Sequence, residues 1–272
     1  MAEEERRPPP RAPGPYLSHT LGSAFRNAQE ARLLRHVREA PLPRHLAIIM
    51  DGNRRFAKTH GLLVETGHER GRDKLEELLN WCLEIGLRIM TVYALSTENL
   101  ARPVEELEPL MALFRRSFED IATDERVHRN RIRVRAFGNR TYLPVEVVRA
   151  IERAEAATRE YDQYFYNVAI AYGGREELLH AIRELAAEVA AGRLEPEQIT
   201  AELVSTHLYT ADLPDPDLVF RTSGEERISN FLLWQSAYAE LYFADVLWPG
   251  LTRLDFLRAI HDFQVRQRRY GT

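Results

Sequence analysis

The residues able to do chemistry in this chain gather in short blocks, each placed directly after an apolar run. DGNRR at 51–55 follows LAIIM at 46–50. Ser96, Glu98, Asn99 and Arg102 follow a second run at 89–95. Gly173, Gly174 and Arg175 follow a third at 165–172. Arg221, Thr222, Ser223, Gly224, Arg227, Ser229 and Asn230 follow a fourth at 218–220, and Gly67 and His68 precede a long helical stretch. Arginine offers paired donors that match phosphate oxygens, and glycine lets backbone N–H groups approach them closely. A helix N-terminus adds favourable partial charge. Asp51 stands out as a ligand for a divalent cation: Mg²⁺ takes one or two carboxylates and fills its other positions with phosphate oxygens and water. With few acids among them, these blocks describe a Mg²⁺-assisted enzyme acting on phosphorylated substrates.

Each residue alone has a plainer reading. An Asp at a strand end also caps helices, and Asp-Gly is a turn signal. Arg54 and Arg55 also read as a solvated pair, Arg221 as a structural ion-pair partner, and His68 as an ordinary residue at a helix start. Arg131, Arg133 and Arg135 read as a solvated strand face, Cys82 as core, and LPDPD at 213–217 as a turn. The recurrence of basic and small polar residues at successive strand ends favours the chemical reading. Other chemistries lack their signatures: there is no GxxxxGK[ST], no GxGxxG after the first strand and no GxSxG. A single cysteine excludes a Cys-rich zinc site and an intramolecular disulfide.

The elements that must position these blocks alternate along the chain. Apolar runs at 46–50, 89–95, 165–172, 218–220 and 241–247 read as strands, and 131–137 alternates strictly. Helical spacing marks 75–83, 104–127, 145–158, 176–191 and 255–269. Such alternation predicts an α/β domain over 41–272, with a parallel sheet covered by helices and ligands bound beyond the carboxyl ends of the strands. An extension covers 1–40: a Pro-rich stretch at 1–15 expected to be disordered, then an amphipathic helix over about 16–39. That helix either docks on the domain or lies on a lipid surface.

Composition narrows the setting. The chain has 272 residues and a formal net charge of -4 despite 37 basic residues, which disfavours a nucleic-acid partner. No signal-peptide pattern opens it, and no run approaches the ~20 apolar residues of a membrane span. A soluble, cytoplasmic protein is expected, with contact at a membrane surface through 16–39 as the second reading.

Five blocks then carry a specific resemblance. HLAIIMDGNRRFAKTHGL, GHERG, TVYALSTENLARP, NVAIAYGGREEL and DLVFRTSGEERISNFLLWQSAYAELYFADVLWP, in this order, resemble the cis-prenyltransferases, the undecaprenyl or polyprenyl diphosphate synthase family, over about 42–271. NRRFA and YFYNVAIAYGGR are similar to its archaeal and dolichol-type branch. The resemblance implies a six-stranded, mostly parallel sheet with an apolar tunnel, a homodimer, Mg²⁺ dependence, and repeated cis addition of isopentenyl diphosphate to an allylic diphosphate, farnesyl or geranylgeranyl. It implies Asp51 as the Mg²⁺ aspartate and Gly52, Asn53, Arg54, Arg55, Phe56 and His68 as the allylic diphosphate block. Ser96, Asn99 and Arg102 match the block for substrate positioning and proton removal, Asn53 joins Asp51, Ser96 and Asn99 as a catalytic residue, and Arg221, Arg227 and Ser229 match the isopentenyl diphosphate site. Glu240 matches an acid at a second metal position. Arg269 and Gly271 match a C-terminal R-x-G motif that completes the neighbouring subunit's site.

Three positions depart from the common bacterial pattern: Arg54 for Gly, Val64 for Arg and Glu226 for His. The base stays open between a diphosphate oxygen and a Ser96/Asn99 relay. Leu75, Leu79, Leu83, Leu107, Met111 and Phe114 are expected to line the tunnel, with small Ala94 leaving its mouth clear, which favours a long product serving as a glycan carrier lipid. The rivals are a short-chain synthase and a non-catalytic partner subunit. The latter is expected to lack DGNRR and RTSGEER, and both are present.

Overall fold

Apolar runs rich in Val, Ile and aromatic residues are stable as strands only where both faces are covered, the situation of a parallel sheet. In the computed structural model, which describes residues 15–267, they form β1 (His45–Ile49), β2 (Ile89–Ser96), β4 (Tyr164–Tyr172) and β5 (Leu218–Arg221), while the alternating β3 (Ile132–Phe137) and the less buried β6 (Glu240–Phe243) take the two edges. All pair in parallel, in the order β3-β4-β2-β1-β5-β6. The helices are α1 (Pro15–Glu39), α2 (Asn53–Thr59), α3 (Val64–Ile85), α4 (Val104–Ile121), α5 (Glu125–Arg129), α6 (Val145–Thr158), α7 (Gly174–Ala190), α8 (Ala201–Thr206) and α9 (Arg253–Gln267). The α/β class and the parallel sheet expected from the alternation are what the chain adopts.

The strand period of two sorts the core into layers. Leu46, Ile48, Met90, Val92, Val134, Val168, Leu218 and Phe220 share one cluster with buried residues of α3, α4, α6 and α9. Ala47, Ile49, Tyr93, Phe137 and Val219 lie in a second, smaller cluster with Tyr172, Phe231 and Leu232. Cys82 belongs to the first cluster, and burial pushes its thiol pKa up, so it is core as expected.

Two expected elements change. The helix expected over 104–127 is two helices, because Asp124 caps α5: its carboxylate accepts from the Arg126 N–H at 2.7 Å. The last strand stops at Phe243, because the carbonyls of Ala244 and Val246 accept from the N–H groups of Gly224 and Ser223 in the loop after β5. The expected disordered stretch at 1–15 lies almost wholly outside the described residues. The following helix docks on the domain: Val37 is buried, Leu33 and Leu34 pack on the core, and Gln264 Nε2 of α9 donates to the carbonyls of Val37 and Ala40 at 2.9 and 3.0 Å.

The strand order places one switch point beside β1. The chain leaves β1 toward β2 on one side and returns much later as β5 on the other. A crevice opens beyond the carboxyl ends of such a strand pair. Ile49 and Arg221 are register partners there, so DGNRR and RTSGEER are brought together across 170 residues of sequence.

Candidate active site

Asp51 and Arg221 are the centre of that crevice. Arg221 is buried, and its Nη2 donates to Asp51 Oδ2 at 2.7 Å while Nη1 donates to Ser229 Oγ at 2.7 Å and to the Arg227 carbonyl. Partial burial works to raise the Asp51 pKa. The hydrogen bond and charge of Arg221, with the charge of Arg55, outweigh it and hold the carboxyl below its usual range. Thr222 Oγ1 locks the backbone behind it, accepting from the Asp51 N–H at 3.0 Å and donating to the Asp51 carbonyl at 2.7 Å. Gly52 turns the chain into α2 with φ of 111°, where a side chain would also meet Leu247 Cδ2 at 2.9 Å.

α2 presents Asn53, Arg54 and Arg55 because α3 comes unusually close behind it. A Cβ at Gly67 would lie 2.5 Å from the Asn53 carbonyl oxygen, and one at Gly71 would lie 2.4 Å from Asn53 Oδ1. The GHERG block is thus a packing device as well as the carrier of His68. Trp248, fully buried, ties the same corner: its N–H donates to the Asp51 carbonyl at 3.0 Å and its Nε1 to the Gly71 carbonyl at 2.8 Å. Asn53 Oδ1 is buried without a hydrogen-bond partner. Arg55 lies 3.6 Å from Asp51 and 3.5 Å from Glu225, and donates to the Ser223 carbonyl at 3.3 Å.

Glu106, in the first turn of α4, gathers two arginines and a histidine. Its carboxylate lies 2.9 Å from Arg102, 3.5 Å from Arg54 and 3.6 Å from His68 Nε2. Burial and the Arg102 charge lower the His68 pKa despite Glu106, so the imidazole is neutral near pH 7.

The end of β2 supplies the opposite wall. The β2–β4 register shifts between Tyr93 and Ser96, an irregularity of the kind that re-aims side chains beside active sites. Ser96 Oγ accepts from the Asn99 N–H at 3.2 Å. Asn230 crosses from the loop after β5 to occupy the N-terminus of α7: its carbonyl accepts from Gly174 at 2.7 Å and its Oδ1 from Arg175 at 2.9 Å. The GGR block is therefore engaged within the protein.

A cleft of about 510 Å³ brings together Asp51, Asn53, His68, Ser96, Asn99, Arg102, Arg221 and Ser229, and an adjoining groove adds Gly52, Arg54 and Arg55. Three expected site residues are placed elsewhere. Glu240 pairs in register with Leu218, at the amino end of the sheet and roughly 15 Å of strand away from Asp51, and its carboxylate meets Arg266 at 3.3 Å. Within one chain the carboxylates of Glu240 and Asp51 therefore do not meet. Phe56 turns to stack on His60 with ring centroids 4.1 Å apart. Arg227 contributes its carbonyl, while its exposed guanidinium pairs with Glu225. Arg269 and Gly271 lie outside the described residues. Lys58 and Tyr93 also line the site without having been singled out, and Glu106 is tied to it through its pairs with Arg54, His68 and Arg102; only the i,i+4 spacing from Arg102 signals Glu106. More acids than expected attend the cleft and groove: Glu98 lines the cleft, while Glu106 and Glu225 pair with the arginines Arg102 and Arg55.

An apolar channel leads inward between the sheet, α3 and α4. Leu75, Ala94, Leu110, Leu113, Phe114, Ser117, Ile121 and Tyr166 line a cavity of about 90 Å³ that shares Met50, Asn53 and His68 with the cleft. A second cavity of about 100 Å³ continues it with Leu79 and Leu83. Leu107 and Met111, expected in this wall, line neither; both belong to the packed core around α4. Both cavities are narrow beside the ~300 Å³ or more of ordinary ligand pockets.

The donor set fits Mg²⁺ in one respect. Among the described residues, no group of three or more His, Cys, Asp or Glu could hold a metal by itself. A single ionised carboxylate, that of Asp51, suits a hard cation that draws its other ligands from phosphate and water.

Comparisons with known proteins point to one family. The family described as "Putative undecaprenyl diphosphate synthase" matches residues 49–271. A tritrans,polycis-undecaprenyl-diphosphate synthase of Methanopyrus kandleri, named as geranylgeranyl-diphosphate specific, is 55% identical over 235 residues, 86% of this chain and 87% of its own. An isoprenyl transferase of Thermus thermophilus is 52% identical over 246 residues, 89% of this chain and 94% of its own. The crystal structure of lavandulyl diphosphate synthase from Lavandula x intermedia, in complex with dimethylallyl diphosphate, aligns with a TM-score of 0.77 at 33% identity, covering 82% of this chain and 95% of that one.

Proposed function

The chain belongs to the undecaprenyl diphosphate synthase family of prenyltransferases, and from that premise we propose how its residues join prenyl groups. It is a cis-polyprenyl diphosphate synthase, condensing isopentenyl diphosphate onto an allylic diphosphate. The observation that carries the reading is the Asp51–Arg221 pair at the switch point, with cationic groups on both sides and an apolar channel behind.

Arg54, Arg55, Arg102 and His68 on the α2–α4 side hold the allylic diphosphate, and Arg221 and Ser229 on the β5 side hold isopentenyl diphosphate. Aligning the two supplies the orientation that a bimolecular bond formation otherwise lacks. As the allylic C–O bond breaks, the arginines stabilise charge growing on the leaving diphosphate; one well-aimed donor is worth about 3–4 kcal/mol. C1 of the allylic group joins the isopentenyl double bond, and loss of a proton restores neutrality. Asp51 is the carboxylate that would hold Mg²⁺, with Asn53 beside it; the ion, when bound, neutralises diphosphate charge. Ser96 and Asn99 border the reacting centre, where they orient the isopentenyl group for proton loss to a diphosphate oxygen or through their own relay. The lengthening tail passes into the channel, gaining roughly 0.8 kcal/mol per buried CH₂.

Geranylgeranyl diphosphate is the primer proposed, on the name of the Methanopyrus relative. A homodimer in which Arg269 and Gly271 complete the partner's site, a cytoplasmic location and peripheral membrane contact belong to the same reading; no described helix is long and apolar enough to cross a membrane. The purified chain, given labelled isopentenyl diphosphate, Mg²⁺ and either farnesyl or geranylgeranyl diphosphate, is expected to make long polyprenyl diphosphates, preferring the latter. Absence of any elongated product would sink the assignment.

A further inference from the structure

One carboxylate, itself outside the lining of the cleft and groove, gathers three lining groups of the other sign or of proton-accepting character. Glu106 is 11% exposed at its side chain, and Arg102, Arg54 and His68 Nε2 lie 2.9, 3.5 and 3.6 Å from it. They come from different elements: Arg54 from α2, His68 from α3, and Arg102 from the turn before α4. Local spacing accounts only for the i,i+4 pair with Arg102; Arg54 and His68 reach Glu106 through the fold. With two arginines on one carboxylate, the cluster keeps excess positive charge, and His68 Nε2 is buried without a hydrogen bond. One carboxylate thus undersupplies both charge and acceptors at a point bordering Asp51 and Asn53.

We propose that Glu106 is a positioning residue that stands in for the diphosphate of the allylic substrate: it keeps Arg54, Arg102 and His68 facing one point, then cedes them to the arriving diphosphate. The inference rests on the reading of this cleft as a diphosphate site. Two anions at this range in a half-buried cleft repel each other strongly, so the carboxylate moves away as the diphosphate settles. Glu106 lies in the first turn of α4, where its N–H donates to the Pro103 carbonyl at 3.0 Å. A carboxylate remains favourable at a helix N-terminus, so release there carries little penalty. The displacement has a consequence for the channel. α4 also supplies Leu110, Leu113, Phe114, Ser117 and Ile121 to a cavity of only about 90 Å³, too narrow for a long tail unless α3 and α4 part. The turn that must give way to the headgroup belongs to the helix that must give way to the tail, so binding of one prepares room for the other.

The test uses the full chain and inorganic pyrophosphate, followed by calorimetry, with folding checked by circular dichroism. Glu106→Gln removes the competing charge, so it is expected to bind pyrophosphate about tenfold more tightly than the native chain. Its KM for the allylic diphosphate is expected to fall without a rise in kcat. Glu106→Asp, which withdraws the carboxylate by one methylene, is expected to lie between the two and serves if the Gln variant misfolds. A residue needed only for structure would weaken pyrophosphate binding when changed, and unchanged or weaker binding in a folded variant overturns the proposal. Failure of the native chain and both variants to bind pyrophosphate would overturn the diphosphate site itself and the proposal with it. Turnover without the affinity gain removes only the role of Glu106.

Discussion

Asp51 and Arg221 each make the other tenable: the arginine could not stay buried unpaired, and the carboxylate would lose its charge more readily without it. This gives acid sensitivity a definite sign. The folded-state pKa of Asp51 lies below its ordinary value of 3.8, so its contribution to stability is present above about pH 4 and is lost as pH falls through the lower folded value. Asp51→Asn is expected to reduce stability at neutral pH by roughly 1–3 kcal/mol, since a buried guanidinium loses its charged acceptor. The same variant is expected to lose less on acidification from pH 5 to pH 3, which thermal melts across that range check. Turnover is expected to drop on the order of 10²–10³-fold or more. A variant with native kcat at saturating substrates would remove Asp51 from the chemistry.

At the scale of elements, the α2–α3 contact is held open to one solution by two missing side chains. Gly71→Ala adds helix propensity worth about 1 kcal/mol, yet the new Cβ would lie 2.4 Å from Asn53 Oδ1. Stability is therefore expected to change little, while kcat/KM falls by roughly tenfold or more as Asn53 is displaced; melts and steady-state rates on the same sample separate the two. Ser117→Phe on α4 is expected to block the channel beyond the first additions. Product chromatography should then show shorter chains with the first condensation nearly unchanged, and an unaltered length distribution would show that the tail takes another route. These elements differ in how far the sequence reveals them. Strands buried on both faces announce themselves as apolar runs, and the blocks after β1, β2 and β5 could be assigned to one crevice because parallel strands share a carboxyl end. Glu240 could not be placed that way, because its own strand begins rather than ends with it, and resemblance carries identity but not depth in the sheet. Glu106 was hidden for a related reason: among the charges of a helix start, only the fold shows which one is turned toward Arg54 and His68. Leu107 and Met111 share helical periodicity with the channel wall but face packed core, since periodicity identifies a buried side and not which part of it is hollow.

The whole molecule poses the question of whether one chain contains a complete site. The cleft assembled by a single chain has Asp51, Arg221 and the Glu106 cluster, while the resemblance gives Arg269 and Gly271 a role in the neighbouring subunit. Subunit mixing decides it without needing a liganded structure. Asp51→Ala and Arg269→Ala are each expected to be inactive as homodimers. If Arg269 serves its own chain, every site in a mixed dimer lacks one of the two groups and the mixture stays inactive. If it serves the partner, the Arg269→Ala chain brings an intact Asp51, the Asp51→Ala chain lends it an intact Arg269, and one of the two sites is whole. Random two-fold pairing of equal amounts then restores about a quarter of native activity, half the dimers being mixed with one working site each. Coexpression of the two chains with distinct affinity tags isolates the mixed species, for which activity near half the native value is expected. An inactive, correctly folded mixed dimer would place the C-terminal motif in its own chain's site or outside the site altogether.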